Sequence, residues 1–594
     1  MFRISTGSKI LWLSGFILLL TAGGIQAQEI PSILVQYPEV IVHNGKIVTL
    51  DDDSLSLPGK TGTVVQALAV RNGRILALGN NQEILRLAGP DTRVFDLGGR
   101  TVVPGLIEKH SHIHNYALDN HNEGLELPFY GTSVGGDNVE EVLKNVRNRL
   151  MELRDEVKAG LPIWMVIPRR IGPLAIARGT LNKKLLDELA PLHPVFVRAP
   201  ISSYIFNTAG RKLLDEYAPK YAGKPDEAVV GGRVAEIFLN GAVMVGHEEI
   251  LATALEREMN HFASFGVTTI GSRVHTPAIF KSYRILDSLN RMPARFAIYM
   301  HAELSGHTDY FKFYGDHTGM GTSDFLWEAG VSLEGFDTFS GDVWCTDVLP
   351  IDDVVAEMLG RVEPCRGKRG DYEREQIQGM LDAELRTVQI HGGADKTIDY
   401  FFEALEDAME KTGMTIEEVR AKHHTMEHLR FVRPDQIAKF KHYGIIAGPD
   451  NAGCAKTAVD WYGEQYATWF KPIRSMVEAG VYVAHAADTH FREDGATPWN
   501  NLWWEITRKC PDGLIYGDES EAIDRVTALK THTTWARKYL VREDIGFLKE
   551  GNLADFAVLD KDYFTIPVDD IPSVKVLLTI VGGKVSHQAP GTSF

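Results

Sequence analysis

The sequence runs to 594 residues, more than one ordinary hydrophobic core serves, so two or three structural units are expected. Its composition is 44% apolar and 24% charged, ordinary for a soluble protein, with no low-complexity tract or short repeat. A formal charge of −17 repels nucleic acid and anionic lipid, and neither is an expected partner.

At the start of the chain, Arg3 and Lys9 precede an apolar run from Ile10 to Leu20, and small and polar residues follow to Gln28. This is the pattern of a secretory signal peptide, residues 1–27, cleaved after Ala27. The run is short of the ~20 residues a spanning helix needs, and an uncleaved N-terminal anchor is the alternative. Cleavage removes two positive charges and no acid, taking the charge from −17 to −19. An exported protein, periplasmic or secreted, is expected, with no stable membrane insertion afterwards.

From about Val40 the chain reads as short strands. Val40–His43 and Lys46–Val48 flank Asn44-Gly45, a strong hairpin signal. Leu68–Val70 and Ile75–Leu78 flank a second turn, Arg71-Asn72-Gly73-Arg74. The C-terminal end has the same texture, with strands over Asp555–Leu559 and Val574–Val581 and a turn at Gly582-Gly583. One small β-sandwich built from both ends, residues 28–103 and 538–594, is therefore expected.

Between them, strand-like runs (Pro194–Val197, Gly266–Ile270, Val388–Ile390, Gly444–Ala447) alternate with amphipathic helical ones (Ile398–Lys411, Arg433–Tyr443). Such alternation implies α/β architecture, a parallel sheet with helical crossovers. A (β/α)8 TIM barrel takes roughly 250 residues, or over 400 with insertions. Residues 104–537 fit one barrel if 115–260 and 301–385 are insertions. The four cysteines, Cys345, Cys365, Cys454 and Cys510, form no CxxC pair, which argues against a zinc–thiolate site. Export permits disulfides; Cys345 with Cys365 is the most local of three pairings, and buried free thiols are the alternative.

The chemistry concentrates after an apolar strand and a Pro-Gly, in Glu108-Lys109-His110-Ser111-His112-Ile113-His114. Residues two apart on a strand share a face, so His110 and His112 present two imidazoles to one point, as a divalent metal requires. His114 joins them only if the strand continues that far.

The stretch Pro104–His112 resembles the Pro-Gly-x-Ile-Asp-x-His-x-His element of the amidohydrolase superfamily. Residues Gly546–Asp560 resemble its C-terminal Gly-Ser-Leu-x-x-Gly-x-x-Ala-Asp element. The resemblance spans about residues 40–587 and is closest to the branch of N-substituted formamide deformylases and exoenzyme regulators. It implies further site residues. His391, in a stretch similar to the branch's strand-five His-Ala-x-Gly-Asp, is the implied third His ligand. His428, in Met426-Glu427-His428, is implied as a ligand or a carbonyl-polarising group. Asp488, ending Val483–Asp488, is implied as a ligand that also moves protons. Where many members carry a metal-bridging Lys, this chain has Ser332. Either the site holds one metal, or Glu334 supplies a bridging carboxylate. Ser202 likewise stands where the branch often has a His.

The implied cofactor is Zn²⁺, one ion or two, with another divalent metal as the alternative. The implied reaction is hydrolysis of a C–N amide-type bond of a small molecule by metal-activated water, with Asp488 moving the proton and His428 stabilising the oxyanion. Tyr310, Phe313, Tyr314, Trp461, Trp469, Trp499, Trp503 and Trp504 are candidates for an aromatic substrate pocket, with core packing as the ordinary alternative. A metal-dependent lyase, hydratase or lactonase is a second reading, and a non-catalytic regulatory binding protein a third. A homo-oligomer is neither required nor excluded.

Overall fold

The computed structural model describes residues 36–593 except 169–170, 200–202, 218–221, 227–242, 302–315, 334, 337–343, 360–364, 451–452 and 493–494. The signal-peptide expectation, Ser202, Glu334, Tyr310, Phe313 and Tyr314 lie outside the described residues. Pro38–Phe594 make up one compact unit.

Eight parallel segments follow one another in chain order. Leu106–Glu108 pairs with Val267–Val274, then come Arg295–His301 and Leu326–Ser332. A bridge from Val331 to Thr387 leads to the fifth strand, Ile390–Gly392, followed by Thr425–His428 and Ile446–Pro449. Bridges from Ala447 to Val483 and from Asp450 to Ala486 place the eighth segment. Helices such as Asp395–Thr412 and Pro434–Tyr443 form the crossovers. This is a TIM-barrel-like α/β fold.

The eighth and first segments are joined by other means. His485 N–H donates to the Thr531 carbonyl at 3.0 Å, and Ile107 N–H donates to the neighbouring His532 carbonyl at 2.7 Å. Residues 531–532 thus lie between the two segments. Above them, the buried Glu108 carboxylate accepts the N–H groups of Ala487 at 2.9 Å and Asp488 at 3.2 Å. A side chain here does the work of a strand ladder.

The insertion after the first strand folds on itself. Tyr130–Ser133, Ile163–Val166 and Val195–Ala199 are parallel, and Ser203–Phe206 returns antiparallel. Helix Val139–Glu156, capped by Asn138, buries Val142, Val146, Leu150 and Leu153, the one-face spacing of an amphipathic helix. These residues form an apolar cluster of their own with Ile163, Met165, Val195 and Val197.

The two chain ends meet in two sheets. One has the order Arg74–Gly79, Ala67–Arg71, Val40–His43, Arg93–Asp96; the other has the order Lys584–Gln588, Val576–Val581, Phe556–Leu559, Thr101–Pro104, Lys46–Val48, Val64–Val65. Val42, Leu68, Val102, Phe556 and Ile580 share one core between them. The expected hairpin at Asn44-Gly45 is not formed, because its two strands belong to different sheets. Asn44 (φ 56°) instead turns the chain from one sheet into the other, and Gly45 sits where a Cβ would meet Leu97 Cδ1 at 2.6 Å. The turns at Asn72-Gly73 and Gly582-Gly583 do make hairpins. Asn72 and all three glycines have positive φ, which the primed hairpin turns demand.

Candidate metal centre

The C-terminal ends of the parallel segments converge, as in TIM-barrel enzymes generally. The first strand ends at Glu108, yet His110 and His112 still point to one place. His110 Nε2 lies 2.7 Å and His112 Nε2 3.4 Å from Asp488 Oδ1. The three residues form a group able to hold an ion. Asp488 reaches it from a left-handed backbone (φ 49°), a conformation that costs a non-glycine residue about 1–2 kcal/mol.

Two features test whether an ion suits this group. Among the described residues neither ring nitrogen of His110 makes a hydrogen bond, although both face carboxylate oxygens, Asp488 at 2.7 Å and Glu427 at 2.6 Å. Ligand atoms about 2.0–2.1 Å from a tetrahedral zinc lie roughly 3.3 Å apart, close to the His112–Asp488 separation. The field also favours a cation. Burial disfavours charge on His110, but Asp488 and Glu427 outweigh it and raise its pKa to about 10. The donor set therefore fits a divalent ion. Beside it is a cavity of about 10 Å³, the space of one water, lined by His110, His112, Ser272, Arg273, His275 and Gln389 among others.

His391 and His428 form an adjoining pair, with ring centroids 4.1 Å apart; His428 is 5.8 Å from His110. They are not in the His110–His112–Asp488 group. His428 ends the sixth strand with φ 65°. Its Nδ1 lies 3.1 Å from Asp450 Oδ2, and burial holds its pKa well below the usual imidazole value. His114 does not join them. The strand has ended, His114 lies in helix Ile113–Asn120, and its Nε2 is 2.7 Å from the Arg273 carbonyl.

Beneath the imidazoles lies a buried charge network that the sequence reading did not assign. Lys109 pairs with Asp450 and donates to the Gly448 carbonyl at 2.9 Å. Arg273 pairs with Glu427, donates to the Gln389 carbonyl at 2.8 Å, and reaches Ser332 Oγ from its Nε at 2.9 Å. His275, after the second strand, lies with its ring centroid 4.7 Å from that of His301 at the end of the third, the planes tilted by 44°. A pair of charged residues directly before His-x-His was the available signal for Glu108 and Lys109; nothing local marked Arg273 or Asp450.

His485 turns away from the centre to Glu505, which His532 also approaches at 3.3 Å. Trp499 and Trp504 are fully buried, and Trp504 stacks on the Arg508 guanidinium at 3.9 Å. These two are core residues, and burial removes them from the list of pocket aromatics. Trp461, Trp469 and Trp503 are partly buried.

Comparison with known proteins agrees with this architecture. Over 94% of this chain and 100% of its own length, an N-substituted formamide deformylase of Arthrobacter pascens is 23% identical. The Arabidopsis thaliana protein LONG AFTER FAR-RED 3 is 22% identical over 92% of this chain and 91% of its own. An uncharacterized metal-dependent hydrolase from Pyrococcus horikoshii superposes with a TM-score of 0.65 at 18% identity, covering 89% of this chain and 99% of that one, which shows a shared fold. The model of the Amidohydrolase family matches residues 93–587. By that match, the chain belongs to the amidohydrolase family.

Proposed function

We propose that this protein hydrolyses a C–N amide-type bond of a small molecule at a single zinc ion held by His110, His112 and Asp488, with His391 and His428 beside it. Members of this family are hydrolases of carbon–nitrogen bonds. The observation that carries the reading is the convergence of His110, His112 and Asp488 without hydrogen bonds to His110. When bound, such an ion lowers the pKa of its water toward ~7 and polarises a carbonyl.

The chain's own residues do the rest. Asp488 takes the proton of the attacking water and returns it to the leaving amine. Glu108 fixes Asp488 through its backbone N–H. With Asp450 at its Nδ1, the neutral His428 carries its proton on that side, and Nε2 keeps a lone pair. This makes His428 a ligand or proton acceptor rather than an oxyanion donor. A count of one ion in this centre is supported by Arg273. Its permanent charge sits between Ser332 and Glu427, against the residue that replaces the family's bridging Lys.

The full-length match to a formamide deformylase makes N-substituted formamides the first substrates to assay. The reading also keeps the chain ends as one β-sandwich (28–103 and 538–594) around the 104–537 barrel, behind a cleaved 1–27 leader. Pairing of all four cysteines, Cys345 with Cys365 and Cys454 with Cys510, supports export. The test is zinc content and formamide hydrolysis of the mature protein and of His110→Ala/His112→Ala. One zinc fewer per chain, with activity lost, in the variant supports the proposal. An unchanged zinc count in the variant, or no hydrolysis of any amide or lactone by the zinc-loaded protein, overturns it.

A further inference from the structure

We infer a second metal site, separate from the catalytic centre, formed by His121, Glu258 and His490. His121 closes helix Ile113–Asn120, whose other end begins at His112. The nine steps from His112 to His121, at about 1.5 Å each, separate these two residues by roughly 13.5 Å along the helix axis. Glu258 comes from helix Glu248–Ala263, and His490 from the segment just beyond Asp488. Their ligand atoms lie within 4.8 Å of one another.

The geometry repeats the signature of the first centre. Glu258 Oε2 lies 2.8 Å from His121 Nε2, yet among the described residues neither atom makes a hydrogen bond. Glu258 Oε1 lies 2.8 Å from His490 Nδ1. The Glu258 side chain is 0% exposed, and among the described residues its only ion-pair partners are these two imidazoles. Asp119, the carboxylate whose charge acts on Glu258, is paired with Arg198. Among the described residues no Lys or Arg pairs with this buried carboxylate, and its two oxygens face one imidazole nitrogen each, an arrangement of donors that a divalent cation takes.

Access and orientation both suit an ion. The His121 and His490 side chains are 23% and 18% exposed, so an ion can enter from solvent. The His490 ring stacks on His261 at 4.5 Å and 15°, and His261 Nε2 is fixed 2.8 Å from the Phe491 carbonyl. Two imidazoles and one carboxylate, with water completing the shell, form a zinc-type donor set. Bound there, the ion fastens the first crossover helix, the helix before the second strand and the segment that carries Asp488.

The test counts zinc per chain after chelator treatment, zinc loading and removal of excess. The unmodified protein is expected to hold two, and His121→Ala/His490→Ala and His110→Ala/His112→Ala one each. An unchanged count in His121→Ala/His490→Ala overturns the inference. One zinc in the unmodified protein, lost only in His110→Ala/His112→Ala, also overturns it and leaves the catalytic reading standing. One zinc lost only in His121→Ala/His490→Ala supports the inference and overturns the catalytic reading instead. Should the His121/His490 variant fail to fold, His110→Ala/His112→Ala isolates the second site. Added zinc is expected to raise its unfolding temperature, and no rise overturns the inference.

Discussion

Substituting Asp555 by Ala is expected to destabilise the protein by about 3–5 kcal/mol, the range for removing one partner of a buried ion pair. Arg295, which opens the third parallel strand, donates from Nε to Asp555 Oδ2 at 2.7 Å and from Nη2 to Oδ1 at 2.8 Å. The two side chains are 0% and 2% exposed. Asp555 Oδ1 also accepts the Gly582 N–H at 2.9 Å. Removing the carboxylate leaves the guanidinium with the Asp324 carbonyl at 2.8 Å and the Phe325 ring face at 4.5 Å, neither able to balance its charge. Replacing both partners, Arg295→Met/Asp555→Leu, removes the stranded charge and is expected to restore most of the loss. The assay is the urea denaturation midpoint of the three variants and the parent. A loss below about 1 kcal/mol in Asp555→Ala, on the scale of a surface ion pair, would refute the reasoning. A double variant no better than the single would do the same. Turnover by the folded fraction should be unchanged, because Asp555 anchors the C-terminal strand and touches no site residue.

Two further outcomes follow from buried groups. Glu108→Gln replaces one of the two oxygens facing the Ala487 and Asp488 N–H groups by an amide NH₂. It should weaken zinc binding about 10–100-fold with the fold kept, read by chelator competition; affinity within threefold of the parent counts against it. His424 is buried, and its Nδ1 accepts the Thr387 N–H at 3.0 Å. Burial, aided by Arg386, depresses its pKa to about 3. The unfolded chain therefore binds this proton first, and stability is lost as pH falls from about 6.5 toward 3. His424→Gln should flatten that part of the midpoint-against-pH curve, and an equally steep curve would assign the acid loss elsewhere.

The residues of the first centre were legible because they are unusual where they stand. His110 and His112 at alternate positions after Pro-Gly, and Asp488 ending an apolar run, have few other uses. The supporting charges were illegible for a physical reason. Arg273 and Glu427 are 154 positions apart, and Lys109 and Asp450 are 341 apart. A charge beside a strand reads the same whether it meets water or a buried partner. The Asn44-Gly45 turn shows the same limit. Local sequence specifies the bend, while the sheet that receives the next strand depends on Thr101–Pro104. His114 was undecidable until the strand's end was known.

The placement of Thr101–Pro104 also bears on how the molecule forms. This strand leads directly into His110, and it pairs on one side with Lys46–Val48 and on the other with Phe556–Leu559. The second neighbour is synthesised some 450 residues later, so during translation the strand has a vacant edge. Pairing over such a separation is slow, and an open apolar edge recruits other chains. The residues that prepare the ion site thus reach their final setting only after the chain is complete. A nascent copy carries this edge unpaired until Phe556–Leu559 arrives.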